Sequence, residues 1–395
     1  MATRILDLEI DDLGQTFVEL GSYSAALFLL RRQGIPLGQV TVPVRDGRIE
    51  ADEIRGLLPS DVIARWAAQE QTAKHLVTET RCRSVPTATV AICTRERPDD
   101  LARALLAVTA QPDRGGGVLV VDNCPATDAT REVVSRFPGV RYVVETRRGL
   151  NNARNRALLE AGTDVVAFCD DDAVPDPNWL DALIEPFADP DVGCATGLTM
   201  PLELESEGQE QFETFTGFSR CGFERRAYRS PPHHPLSVGE VGAGVNMAIR
   251  RAARDTAGLF DPALDAGTPT MSGGDHEYFH RLLRAGWTIV YEPRALSWHR
   301  HRRTREETRK AIHGYGVGVY AFYARALLVE WEWRVILQAL RWFYHVQAPD
   351  IGRALLGRPG ARPLGLGLAE LGGCIRGPFA YLASRRQARL RGWDA

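Results

Sequence analysis

Three consecutive carboxylates, Asp170, Asp171 and Asp172, directly follow the apolar run VVAFC. Like charges this close repel one another and raise each other's pKa unless a cation or hydrogen-bond donors compensate them. In extended backbone, Asp170 and Asp172 project to one side and Asp171 projects to the other. Two carboxylates on one side suit a hard divalent ion such as Mg²⁺, which proteins hold with one or two carboxylates and substrate phosphates. The triplet therefore predicts a metal site, with an acidic turn as the alternative.

A second group of candidate residues is GGDHE, which opens an amphipathic helical pattern at Gly273. Asp275 and Glu277 could be capping acids, because a helix N-terminus favours negative charge. A carboxylate at a helix start beside a crevice could equally act as general base toward a substrate hydroxyl. Further along, His299 follows an apolar strand run. A neutral imidazole there could complete a metal site, whereas its arginine neighbours favour phosphate contact or a solvated basic segment.

The elements that would position these residues alternate strictly after Pro86. Apolar strand runs and amphipathic helices follow one another at 87–94, 97–111, 117–123, 127–137, 140–145, 149–162 and 164–172. Continuous Val, Ile and Leu runs between helices indicate a mostly parallel sheet covered on both faces. In such sheets ligands bind at the carboxyl ends of the strands. Three strand runs end in polar residues, at Thr94, Asp122 and Asp170, so we predict a single site at this edge.

The chain divides into three predicted parts. Residues 1–82 are expected to form a small α+β module, 83–303 an α/β domain with a Rossmann-like sheet, and 304–395 a helical region. Within the second part, 203–240 is polar and irregular and predicts a long excursion, which in compact domains is usually functional or disordered. The aromatic residues and arginines of 311–346 suit either an interfacial helix on a membrane or packing against the α/β domain or a second copy.

Composition limits the class of protein. The chain has 395 residues, 44% of them hydrophobic, and a formal net charge of −2. These values are typical of folded soluble proteins and argue against a disordered chain or a polytopic membrane protein. A near-neutral chain is also not expected to be a general nucleic-acid binder. The seven cysteines form no CxxC pair and there is no signal-peptide pattern, so we expect a protein that is cytoplasmic, either free or peripheral at the inner face of the membrane.

Seven short motifs, in this order, resemble the GT-A fold glycosyltransferases of family 2, which are inverting enzymes that use nucleotide sugars. The motifs are TRERP, VVDN, GLNNARNRAL, FCDDD, GVNMAIRR, GGDHE and WHRHR. The resemblance covers roughly 86–303 and implies a GT-A, mixed and mostly parallel sheet flanked by helices. The sequence departs from the family pattern at one position: members often have Glu directly before the catalytic base, and here that residue is Gly274. Residues 1–80 lie outside the resemblance.

The resemblance also implies roles for individual residues. Asp170 is directed at the donor ribose, Asp172 and His299 hold Mn²⁺ or Mg²⁺, and Asp275 is the general base. The remaining residues implied to contact the nucleotide or diphosphate are Thr94, Arg95, Glu96, Asp122, Arg154 and Asp171. Trp179 and Glu277 are the candidate contacts to the acceptor.

The predicted reaction is transfer of a sugar from a UDP-, GDP- or dTDP-sugar to a hydroxyl of a glycan, lipid-linked or natural-product acceptor. Two alternatives are weighed against it. A sugar nucleotidyltransferase would have a glycine-rich loop after the first strand, and CTRERP lacks glycine there. A catalytically inactive GT-A scaffold or binding protein would not need the aspartate triplet, Asp275 and His299 together. No nucleic-acid partner is expected.

Overall fold

The computed structural model describes residues 2–75 and 85–392. Within these residues the chain forms a three-stranded sheet and a nine-stranded sheet. The predicted boundary between residues 82 and 83 lies outside the described residues. The six cysteines in the described part of the chain are free thiols.

The three-stranded sheet belongs to the N-terminal module. Its elements are β1 (Thr3–Glu9), β2 (Ala25–Arg32), β3 (Ile35–Pro43), α1 (Ala51–Gly56) and α2 (Ser60–His75). β2 pairs parallel with β1 and antiparallel with β3. Its sequence is apolar without alternation because both faces are covered. Phe28 and Leu30 pack into the core of the module, whereas Leu27 and Leu29 pack into the core of the large sheet.

The large sheet is mixed and mostly parallel. Its strands are β4 (Ala88–Thr94), β5 (Gly115–Asn123), β6 (Arg141–Glu145), β7 (Val165–Cys169), β8 (Ala173–Pro175), β9 (Val192–Pro201), β10 (Arg226–Tyr228), β11 (Asn246–Arg250) and β12 (Thr288–His299). The order is β10-β12-β9-β11-β7-β4-β5-β6, and β8 pairs with β12. Strands β7, β4, β5 and β6 are parallel to one another, and β11 is antiparallel to both of its neighbours. The predicted α/β class is confirmed.

Helices cover both faces of this sheet. They are α3 (Pro98–Val108), α4 (Ala129–Val134), α5 (Leu150–Glu160), α6 (Trp179–Ile184), α7 (Glu207–Thr216), α8 (Arg251–Ala257) and α9 (Gly274–Arg284). The sequence of β7 is a continuous apolar run because both faces of this strand are covered. Phe168 packs into the core with α5 and α9, whereas Ala167 and Cys169 pack into the core with α3 and α6.

The excursion at 203–240 contains one regular helix, α7, which the sequence did not predict. Its start is fixed by a capping box, in which the Ser206 hydroxyl accepts from the Gln209 backbone N–H while the Gln209 side chain accepts from the Ser206 backbone. This arrangement satisfies two of the backbone donors that a helix start leaves free.

The C-terminal region is helical, as predicted. It consists of α10 (Arg305–Glu330), α11 (Arg334–Trp342), a π-helical turn (Phe343–Gln347), α12 (Ala348–Leu355) and α13 (Leu364–Leu390). The local sequence did not predict the bounds of α13, because its many glycines disfavour helices. Its glycines permit close packing on α10: a Cβ at Gly373 would lie 2.2 Å from the His313 carbonyl oxygen. Among the described helices, none has the length and apolarity needed to cross a membrane.

Candidate active site

The carboxyl ends of β4, β5 and β7 open into one cleft with a volume of about 1120 Å³. Because these strands are parallel, their polar last residues meet at the same edge of the sheet. From these strand ends the cleft is lined by Thr94, Arg95, Asn123, Asp170, Asp171 and Asp172. Arg154, Asp275 and His299, which come from other elements, line the same cleft. The structure therefore brings together most of the residues that the sequence singled out.

Cations and hydroxyl groups compensate the aspartate triplet unequally. Arg97 Nη1 lies 2.6 Å from Asp172 Oδ2 and 3.1 Å from Asp171 Oδ1, and the Thr94 hydroxyl donates to Asp171 Oδ2 at 2.7 Å. Burial raises the pKa of Asp170 to about 7. Burial alone would also raise the pKa of Asp172, but His299 and Arg97 hold it well below its usual range. Of the three carboxylates, Asp172 is the one whose surroundings most strongly favour the ionised form.

The donor set around Asp172 fits a divalent ion that takes most of its ligands from substrate. His299 Nε2 lies 3.2 Å from Asp172 Oδ1, so an imidazole and a carboxylate already converge. In the described part of the chain, no three His, Cys, Asp or Glu side chains are grouped as a complete metal site. Mg²⁺ bound with a nucleotide usually has one or two protein ligands, and phosphate oxygens complete its coordination. Arg97 was not predicted from the sequence, although TRERP contains it.

A chain of buried hydrogen bonds extends from His299 away from the cleft. His299 Nδ1 lies 3.1 Å from His301 Nδ1, and His301 Nε2 lies 2.9 Å from Glu213 Oε2. The Ser219 hydroxyl donates to Glu213 Oε1 at 2.7 Å. Burial lowers the pKa of His301. Glu213 belongs to α7, so the unpredicted helix of the excursion reaches the edge of the candidate metal site.

Asp275 lies in the first turn of α9, and its carboxylate is fixed by backbone donors. Oδ2 accepts from the Gly244 N–H at 2.9 Å, and Oδ1 accepts from the His276 N–H at 2.8 Å. Burial would raise the pKa of Asp275, but His276, Arg154 and these N–H groups lower it. The helix starts at a left-handed residue, Gly273, with φ 94°. A Cβ there would lie 2.4 Å from the Gly318 carbonyl oxygen, so only glycine fits this turn.

The position before Asp275 has no room for a side chain. A Cβ at Gly274 would lie 2.4 Å from Asn151 Nδ2 and 2.5 Å from Asp265 Oδ2. Asp265 in turn accepts from Arg154 Nη1 at 2.8 Å. The departure from the family pattern at Gly274 therefore has a steric reason. Asp265 is a cleft residue that the sequence did not reveal, since its loop carries no motif.

Four predicted site residues do not line the cleft. The Glu96 carboxylate accepts from the backbone N–H groups of Ala126 and Thr127, so it holds a loop together. Asp122 is fully buried and accepts from the Tyr142 hydroxyl at 2.8 Å. Its neighbour Asn123 lines the cleft instead.

The two candidate acceptor contacts are corrected by the structure. Trp179 is fully buried, and its Nε1 donates to Asn246 Oδ1 at 2.8 Å. Glu277 is also fully buried and lies 2.9 Å from Arg325 Nη1. Both side chains are held in the interior by structural partners, so neither can reach an acceptor in the cleft.

The wall of the cleft that faces away from the strand ends comes from the excursion and the C-terminal helices. Its residues include Phe215, Phe218, Arg220, Tyr315, Trp342, Val346, Arg353 and Arg362. The aromatic residues of 311–346 therefore divide into two groups. Some face the cleft or the core, whereas Trp331 and Tyr344 are 84% and 65% exposed.

Comparisons with known proteins find related glycosyltransferases. Residues 89–256 match the family model for glycosyl transferase family 2. The chain is 30% identical over 233 residues to a pre-mycofactocin glycosyltransferase of Mycobacterium tuberculosis; the match covers 57% of this chain and 46% of that protein. It is 31% identical over 187 residues to an uncharacterised glycosyltransferase of Mycobacterium bovis, covering 47% of this chain and 76% of that protein. The chain thus spans less than half the length of the first relative.

The fold also has a counterpart among solved structures. A mannosyltransferase from Pyrobaculum calidifontis, in complex with GDP-Man and Mn²⁺, superimposes with a TM-score of 0.51 at 17% sequence identity. The superposition covers 80% of this chain and 94% of the mannosyltransferase. At this identity the likeness shows a shared GT-A fold. The sheet, the cleft at its carboxyl edge and the sequence matches lead to one conclusion: the chain belongs to glycosyltransferase family 2.

Proposed function

We propose that the protein transfers a sugar from a nucleoside diphosphate to a hydroxyl acceptor by a single displacement that inverts the anomeric carbon. The observation that carries the proposal is the placement of Asp275 and the aspartate triplet in one cleft, which Arg154 also lines. The glycosyltransferase relatives support it. The Pyrobaculum enzyme, which binds GDP-Man and Mn²⁺, supports a nucleotide-sugar donor and a divalent ion.

On the donor side, the residues hold and neutralise a diphosphate. Thr94, Arg95 and Asn123 line the end of the cleft at the strand termini, where a nucleotide binds in open α/β sheets. Asp172 and His299 would hold Mn²⁺ or Mg²⁺. When bound, such an ion stabilises the negative charge that develops on the leaving diphosphate. Burial alone would raise the pKa of Asp172, but His299, Arg97 and Arg302 lower it and thus favour the ionised carboxylate for that task.

On the acceptor side, Asp275 removes a proton. Acceptor hydroxyls are weak nucleophiles, and a positioned carboxylate lowers the barrier by accepting the hydroxyl proton as the oxygen attacks. Its lowered pKa keeps Asp275 ionised, and two backbone N–H groups fix its direction. Because the acceptor oxygen attacks the anomeric carbon directly, the configuration inverts.

A donor panel tests the proposal. UDP-, GDP- and dTDP-sugars are incubated with the protein and Mn²⁺ or Mg²⁺, and the released nucleotide is identified. We expect release of the nucleoside diphosphate from one donor and its loss in Asp172→Ala. Asp128→Ala, an exposed aspartate outside the cleft, is the matched control. Release of pyrophosphate would instead indicate a nucleotidyltransferase, and no release from any donor would indicate an inactive scaffold.

Contact of the C-terminal region with a membrane or a second copy stays a prediction. Helices α12 and α13 and the turn after α12 expose apolar side chains, among them Leu355, Leu356, Ile375 and Phe379. Flotation with anionic vesicles at low salt tests the membrane, and sedimentation equilibrium of the protein alone tests the dimer. Leu356→Asp is expected to weaken whichever association is observed, because it places a charge in the apolar surface.

A further inference from the structure

His301 and Glu213 lie behind His299, out of contact with the cleft. His299 is a lining residue of the cleft, whereas the other two are not. The three side chains are nevertheless joined by hydrogen bonds of 3.1 and 2.9 Å. Neither the family motifs nor the donor-side residues give His301 and Glu213 a task.

This series of hydrogen bonds ends at the Glu213 carboxylate. That end determines which nitrogen donates and which accepts in each bond. An ionised carboxylate only accepts hydrogen bonds, so His301 Nε2 must carry the hydrogen that faces Glu213. A neutral His301 then presents Nδ1 as an acceptor. A neutral His299 must then donate from its own Nδ1, which leaves the lone pair on His299 Nε2.

That lone pair faces Asp172 Oδ1 at 3.2 Å. A bare imidazole nitrogen beside a carboxylate oxygen is repulsive unless a proton or a metal cation lies between the two atoms, and a bound metal ion takes the place of the proton. Two ligand atoms of one metal ion are arranged in this way. A ligating histidine commonly donates its other N–H to a partner that fixes the tautomer and the ring orientation.

Aromatic rings pack against both histidines. The His301 ring lies 4.5 Å from the Phe212 ring, and the His299 ring lies 5.2 Å from the Phe218 ring, centroid to centroid. Both phenylalanines belong to the excursion, as does Glu213. The excursion thus encloses the histidine pair and also supplies the carboxylate that orders it.

We propose that Glu213 and His301 are positioning residues that hold His299 in its Nδ1–H tautomer, so that Nε2 serves with Asp172 as a ligand for a divalent ion. This inference rests on the metal use in the proposed function. Carboxylates and other partners that back a ligating histidine typically contribute about 10–100-fold to metal affinity. Removing one of these hydrogen bonds is therefore expected to weaken metal binding by about 10–100-fold.

Two readouts test the inference on the full chain, and neither depends on turnover. The ¹⁵N chemical shifts of the His299 ring, assigned by their loss in His299→Gln, report which nitrogen carries hydrogen. Titration with Mn²⁺ alone, followed by electron paramagnetic resonance, reports the affinity of the site. We expect the Nδ1–H form in the wild type, and about 10–100-fold weaker Mn²⁺ binding in Glu213→Ala.

Two further variants separate positioning from folding. His301→Phe preserves an aromatic ring beside Phe212 and removes the acceptor for His299, so we expect the same loss of Mn²⁺ affinity with an unchanged fold. Glu207→Ala removes a glutamate of the same helix that pairs with Arg305 at the surface, and we expect wild-type affinity.

An Nε2–H tautomer in the wild type would overturn the inference. So would wild-type Mn²⁺ affinity in both Glu213→Ala and His301→Phe, or no Mn²⁺ binding by the wild type. Because both readouts are independent of sugar transfer, failure here leaves the donor-panel result unaffected, and an inactive donor panel leaves the tautomer measurable.

Discussion

At the scale of single residues, the most informative feature of the cleft is the lack of room for a side chain at position 274, directly before Asp275. Glycosyltransferases of family 2 often carry Glu at this position, and here it is Gly274. Asn151 and Asp265 fill the volume that a side chain at 274 would need. Asp265 also binds Arg154, and Arg154 lowers the pKa of Asp275. A glycine is thus required for the arginine, both aspartates and the helix start to fit together.

Gly274→Ala is expected to lower the rate of sugar transfer by about 10²-fold, the loss typical of a misplacement of about 1 Å in an active site. The new Cβ must displace Asn151 or Asp265 and with it Arg154. The measurement is the rate of nucleoside diphosphate release with the donor found in the panel. Gly162→Ala, where a Cβ would meet no heavy atom within 4 Å, is the control. A Gly274→Ala variant with the wild-type rate would show that the packing around Asp265 is not needed.

The sequence predicted the site residues that end strands or begin a helix, because those positions follow from hydrophobic periodicity. Asp170, Asp172 and Asp275 belong to this group. Asp265 and Glu213 lie in loops or in an unpredicted helix, and only the tertiary fold shows which strands they approach. The interior position of Trp179 did not follow from the sequence, because an aromatic residue at a helix start gives the same pattern whether it faces a ligand or the core.

At the scale of elements, the helix that carries Asp275 is held in place by buried charges shared with α10. Arg325 of α10 lies 2.9 Å from Glu277 of α9, and Glu330 of α10 lies 2.9 Å from His280 of α9. Breaking one partner of a buried pair leaves an uncompensated charge, which is costly. The pair with Arg325 explains why Glu277 stabilises the fold and does not bind a ligand. Through these pairs the C-terminal region holds the helix of the active site in place.

Glu330→Gln is expected to lower the free energy of unfolding by roughly 1–2 kcal/mol at pH 7, since solvent screens part of the interaction. Burial alone would raise the pKa of Glu330, but His280 and Arg325 lower it to about 2. The stabilisation is complete above the ordinary glutamate value and is lost as the pH falls toward 2. Urea unfolding at several pH values should therefore show the two proteins converging between about pH 4.5 and 2. A difference that stays constant over this range would contradict the role of the charge.

The strands and helices between residues 86 and 172 were predictable because each side of the sheet is covered and the apolar runs are continuous. The C-terminal region was predicted to be helical, but the bounds of α13 were not, because Pro378 and several glycines disfavour an isolated helix. In the structure, Gly373 and Gly377 lie where α10 approaches too closely for a Cβ. Packing between helices, which local sequence does not show, decides this element.

At the scale of the whole molecule, the N-terminal module is joined to the catalytic domain through β2. Leu27 and Leu29 belong to the core of the large sheet. Arg31 lies 2.6 Å from Asp176, and only 8% and 11% of these side chains are exposed. The sequence predicted an accessory module, but the continuous apolar pattern of β2 was not recognised as a strand with two buried faces.

Arg31→Ala is expected to destabilise the protein by about 3 kcal/mol, because Asp176 would remain buried without its cation. Arg45→Ala, which removes an exposed arginine paired with Glu53 in the same module, should change stability by less than about 1 kcal/mol. Urea unfolding of the full chain compares the two. Equal effects of both variants would mean that the Arg31–Asp176 contact does not stabilise the assembly of the two parts.

The central claim is that Asp275 removes the proton from the acceptor hydroxyl while the residues around Asp172 bind the donor. The most direct test compares the rate of sugar transfer and the affinity for the donor in the wild type and in Asp275→Asn. The account predicts a loss of about 10²–10⁴-fold in transfer rate with donor affinity preserved. Transfer by Asp275→Asn at close to the wild-type rate would contradict it.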